Sequence, residues 1–142
     1  MNTEVRPKPP LSGLVYGEIV YWGTLIGSFV SIIGAVISFV TKRNFVDPGY
    51  MLTAIWQGKS VEEIWTGATG ALPHGHWYIH NLFTGNGLAE FGLAIGVFTI
   101  TPACFGAAIF LFKEKEPIFA AMAAIAGFIT VLSMLGVLSI PA

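Results

Sequence analysis

The sequence predicts an all-α integral membrane protein with three transmembrane helices and a long, aromatic-rich interfacial loop between the first and the second. Three observations lead there. Of the 142 residues, 54% are hydrophobic and only 11% charged, where an ordinary soluble domain carries about 25% charged residues. The apolar residues gather in three stretches, each long enough for a spanning helix, which takes about 20 residues. Between the first two stretches lies a segment rich in Trp, Tyr and His. In water, a domain of this composition would expose a largely apolar exterior, because charged side chains keep a surface wet.

The same composition excludes several function classes. Seven Lys+Arg against eight Asp+Glu give a formal net charge of −1. No basic face is available to neutralise phosphates, so nucleic acid is not an expected partner. One cysteine, Cys104, excludes an intrachain disulfide and a Cys-rich zinc or iron–sulfur site. The chain contains no G-x-S-x-G, P-loop, H-E-x-x-H or dinucleotide fingerprint. It is not expected to be catalytic by itself.

Residues 1–12 hold Pro7, Pro9 and Pro10 and predict an extended arm that needs a neighbour to lie against. Residues 13–40 form the first span, with Glu18 as its only charge and Lys42 and Arg43 just beyond it. Its apolar run exceeds the 7–15 residues of a signal-peptide core, so a retained helix is expected. Residues 86–112 form the second span, with Glu90 as its only charge. Pro102 lies within it and predicts a kink, because proline leaves the carbonyl of Phe98 without its helical donor. Residues 113–116, Lys-Glu-Lys-Glu, form a charged turn. The turn is short enough to make an antiparallel hairpin of the second span and the third, residues 117–140, which opens on Pro117 and holds no charge.

Residues 41–85 are too many for a plain connector. Asp47-Pro48 reads as an N-cap followed by a first-turn proline, with Met51, Leu52, Ile55 and Trp56 on one face and Gly58 as the stop. Ser60 and Glu63 read as a capping box opening a second short helix with Val61, Ile64 and Trp65. Gly67 and Gly70 are expected to break it. Helices this short are not stable alone in water. They need a surface, either the membrane interface or a neighbouring protein.

All three histidines lie in Pro73-His74-Gly75-His76-Trp77-Tyr78-Ile79-His80-Asn81. His74, His76 and His80 are the candidate metal ligands, since imidazole suits copper, zinc, nickel and iron. His80, Trp77 and Tyr78 are the candidate contacts for a haem or a quinone. The bland reading of this segment is a set of interfacial side chains paired with backbone or lipid headgroups. No histidine lies within a span, so the chain cannot supply both axial ligands to a haem held between its helices. Glu18 and Glu90 are candidate ion-path carboxylates, but each sits near a helix N-terminus, where the dipole favours a negative group. Small residues mark helix-packing faces: Gly23, Gly27, Ser31 and Ala35 every four residues, Gly92 and Gly96, and Ala123 with Gly127.

These features predict a small, non-catalytic subunit of a multisubunit membrane complex, of respiratory or other energy-converting type, with other membrane subunits and lipid as partners. The alternatives are an electron-transport or metal-binding membrane protein using the His loop, and an ion- or solute-transport subunit using Glu18 or Glu90. Arg6, Lys8, Lys113 and Lys115 on one side against Lys42, Arg43 and Lys59 on the other favour a cytoplasmic N-terminus.

Overall fold

Long apolar runs, interrupted by caps and turn residues, give seven helices and no strand among the described residues. A computed structural model of the chain describes residues 8–137. In chain order the helices are α1 (Leu11–Thr41), α2 (Pro48–Trp56), α3 (Val61–Thr69), α4 (Trp77–His80), α5 (Gly85–Phe98), α6 (Ile100–Lys113) and α7 (Pro117–Met134). Three helical segments are long and apolar enough to cross a membrane: α1 with 31 residues, α5 and α6 together with 29, and α7 with 18.

The helix boundaries refine those expected from sequence. Leu11 and Ser12 already belong to α1, and most of the Pro-rich arm lies outside the described residues. The second segment is interrupted at Thr99, three residues before Pro102. The third helix ends at Met134, short of residue 140. There Gly136 takes φ 70°, and the Gly136 and Val137 N–H groups donate back to Ser133 and Leu132. This is the paired-bond stop that a left-handed residue makes at a helix end. Residues 138–140 lie outside the described residues. Gly67, expected to break α3, sits inside it, and Gly70 at φ 82° closes the helix instead.

The described residues fall into two units. The first joins the start of α1, through Thr24, to the residues from Val97 onward. Within it α6 and α7 pair. Thr101 and Thr130 share a hydroxyl hydrogen bond of 2.9 Å, Thr130 also donates to the Gly127 carbonyl, and Gly127 is buried against Cys104 and Phe105. Gly106 admits Val15 and Ile19 of α1. The charged turn is closed by Lys115 in the left-handed region, φ 63°. Glu114 in that turn accepts from the Ser12 backbone N–H at 3.1 Å and from the Ser12 hydroxyl at 2.7 Å. A carboxylate from the α6–α7 turn therefore caps the first turn of α1.

The second unit is Leu25–Gly96. Here α1 and α5 touch backbone to backbone. A methyl group on Gly27 would come 2.5 Å from the Gly92 carbonyl oxygen, and one on Gly34, Gly85 or Gly92 would overlap Ala89, Ser38 or Ser31. The Ser31 hydroxyl crosses the seam to the Ala89 carbonyl at 2.9 Å. Close backbone approach of this kind is how helices associate where packing replaces the hydrophobic drive.

Candidate interfacial site

The loop between α1 and α5 is built from local caps and then tied down. Asp47 caps α2 by accepting from the Tyr50 N–H at 2.9 Å. Ser60 and Glu63 make both bonds of a capping box on α3. Tyr50 of α2 brings its hydroxyl against Gly67 of α3, where any larger residue would collide with it.

Four hydrogen bonds hold the loop to the start of α5. The Gly85 N–H donates to the Arg43 carbonyl at 2.7 Å. The Asn86 side chain accepts from the Phe45 N–H at 2.8 Å and donates to the Val46 carbonyl at 3.1 Å. Thr84 accepts from the Gly87 N–H at 3.2 Å. Local sequence alone does not single out Asn86. The signal was there in form, since Asn and Thr before an apolar run favour helix starts, but its partner lies 41 residues away.

Aromatic rings also pack together within the loop and against α5. Phe45 stacks on Trp77 with ring centres 5.0 Å apart, and Trp65 meets the same ring edge-on at 5.9 Å. Tyr78 is buried and lies 6.4 Å from Phe91 of α5. Trp77 and Tyr78, the candidate cofactor-stacking residues, are thus part of the packing that seats the loop. Trp65 finds its burial here, whereas Trp56 is 91% exposed and Phe83 95% exposed.

The histidines are placed differently from one another. His76 precedes α4 and its Nδ1 lies 2.9 Å from the Tyr78 hydroxyl. His80 ends α4, and His74 lies before it; all three are exposed. Among the described residues, no three His, Cys, Asp or Glu side chains gather into a group able to hold a metal ion. Burial, followed by the nearby Glu90 carboxylate, pushes the Tyr78 phenol above its ordinary value. The phenol therefore keeps its proton, and the tautomer of His76 decides which of the two groups donates.

Glu18 accepts from the Trp22 indole N–H at 3.0 Å on an exposed face of α1. Glu90 is exposed on α5. Of the small residues expected to pack helices, Gly27, Ser31, Gly92 and Gly96 meet one another, Gly23 admits Thr99, and Gly127 admits Phe105. Ala123 is half-buried on α7.

A family model matches residues 12–137, from the first turn of α1 to just past the end of α7, and the chain belongs to that family. An uncharacterized protein of Archaeoglobus fulgidus is 35% identical over 109 residues, covering 75% of this chain and 71% of the relative. No solved structure matches the chain.

Proposed function

We propose that the chain is a multi-pass membrane protein whose three long helical segments cross the bilayer, and that it serves as a small non-catalytic subunit packing against partner helices in a larger membrane complex. The observation that carries this reading is the exposure of the apolar segments. Only 17%, 22% and 11% of their most apolar stretches are buried within the chain. Phe39 is 77% exposed and Ile118 73%. In water such surfaces far exceed the apolar patches a monomer carries. In lipid they are the favoured state.

Magnitudes agree. Each Leu, Ile, Phe or Val in a span contributes about 0.3–0.6 kcal/mol toward insertion. The fourteen such residues from Leu14 to Val40 would supply roughly 4–8 kcal/mol, more than the ~3 kcal/mol cost of an acidic group even at mid-bilayer. Glu18 lies in the N-terminal part of α1, and its carboxylate accepts from the Trp22 indole N–H. The Thr24 and Thr41 hydroxyls donate back to the Val20 and Ile37 carbonyls, so neither faces lipid as an unmet donor.

An up-down-up layout is supported at both ends of α1. Ser12 meets the α6–α7 turn, and the Arg43 carbonyl meets the start of α5. The basic residues then favour a cytoplasmic N-terminus and a cytoplasmic α6–α7 turn. The loop helices lie in the opposite interface, with Trp56 and Phe83 in the headgroup layer or on a partner. No group among the described residues specifies the kind of complex, so the respiratory expectation goes no further. The His76–Tyr78 pair keeps a redox- or quinone-contacting role as the second reading, through one histidine rather than a metal cluster.

The test is extraction of the full chain from its native membrane in mild detergent, followed by identification of co-migrating chains. A stable species containing this chain and at least one other membrane protein is expected. A well-ordered chain that migrates alone at every gentle extraction condition would overturn the subunit role.

A further inference from the structure

We propose that the groove between the end of α6 and the start of α7 holds one acidic membrane lipid, its hydrocarbon tail along the groove and its phosphate on Lys113. The proposal rests on the membrane reading above and goes beyond it in naming a ligand and a site.

The groove has a volume of about 570 Å³, within the range of roughly 300–1,000 Å³ found for small-molecule sites. Ile109 and Phe112 of α6 contribute its large side chains, and Ala120, Ala121 and Ala124 of α7 leave space opposite them. Lys113 is the sole polar residue in the lining. It stands at the end where the charged turn begins. From Lys113 to Phe105 the groove follows α6 for about 12 Å, at 1.5 Å per residue. The Phe105 ring lies on Gly127, so close that a methyl group there would be 3.2 Å from the ring.

One end is cationic and the rest is hydrocarbon. That is the shape of a site for an amphiphile with an anionic head and a tail. A partner helix needs a seam running along the hairpin, with axes about 8–10 Å apart, and this lining covers only about two turns of α6. The Lys113 ammonium lies 5.1 Å from the Phe110 ring centre. Of its charged neighbours, Glu114 is engaged by Ser12, while Lys115 and Glu116 are exposed and do not line the groove.

The experiment is native mass spectrometry of the full detergent-solubilised chain, titrated with phosphatidylglycerol or with phosphatidylcholine of the same tails. One phosphatidylglycerol per chain is expected to survive activation, with phosphatidylcholine retained at least threefold less. Lys113→Gln should remove that difference. Ala121→Phe should lose both lipids, and Ala124→Leu should weaken both while circular dichroism shows unchanged helix content. Equal retention of the two lipids by the unaltered chain would overturn the proposal. So would full phosphatidylglycerol retention in both groove-filling variants, or a dimer that those variants convert to monomer, which would assign the groove to a second copy. Failure of the membrane reading looks different: the chain would leave alkaline-washed membranes with the supernatant before any lipid is added.

Discussion

Glu114 and Glu63 perform the same task at different ranges. Hydrogen bonds from the Ser12 hydroxyl and then its backbone N–H hold the Glu114 carboxyl below the usual carboxylate range. The Ser60 backbone N–H and then its hydroxyl do this for Glu63. A carboxyl lowered in the folded state stabilises it above the unfolded value, about 4.3, and the contribution disappears as pH falls through the lowered folded value. The thermal midpoint of the chain in detergent should therefore be level from about pH 7 to about pH 5 and fall below about pH 4. Glu114→Gln should shrink that acid fall, and an identical fall in the variant would contradict the cap. The Ser60–Glu63 pair was legible because its partners are three residues apart. The Ser12–Glu114 pair spans 102 residues, and no local pattern announces it. The histidines teach the converse. Closeness along the chain did not make them converge, because the four-residue helix α4 and the burial of Tyr78 orient the segment first.

At the scale of helices, the spacing of small residues is the instructive case. A strict four-residue stripe through Gly23, Gly27, Ser31 and Ala35 drifts around a helix of 3.6 residues per turn. The seam in Leu25–Gly96 instead alternates four and three: Gly27, Ser31, Gly34 and Ser38 against Gly85, Ala89, Gly92 and Gly96. That alternation keeps one face toward one neighbour. Gly34 and Ser38 lie off that four-residue stripe. Helix existence and type were legible from apolar run length and local caps. Stops were less so, because Gly67 and Gly136 carry the same letter while only Gly136 adopts a left-handed backbone. Gly34→Leu should destabilise the chain by about 1–3 kcal/mol, since the added atoms meet α5 backbone that cannot yield. Gly17 has open space around it, and Gly17→Ala should be neutral or stabilising by about 0.5 kcal/mol. Reversible unfolding in mixed micelles measures both, and equal stability of the two variants would contradict the seam.

For the molecule as a whole, composition already carried the main inference. A chain with 11% charged residues has little with which to cover three long apolar helices, and its own packing buries less than a quarter of their most apolar stretches. Function turns on what covers the remainder, which we propose is lipid and partner helices. Single-cysteine labelling from one side of intact membranes tests this most directly, using a Cys104→Ser background with Lys8→Cys, Lys59→Cys or Lys115→Cys. The account predicts that the chain stays in alkaline-washed membranes, that a membrane-impermeant maleimide reaches Lys8→Cys and Lys115→Cys from the same side, and that it reaches Lys59→Cys only from the other. Recovery of the chain in the soluble fraction, or labelling of all three positions from one side, would contradict it.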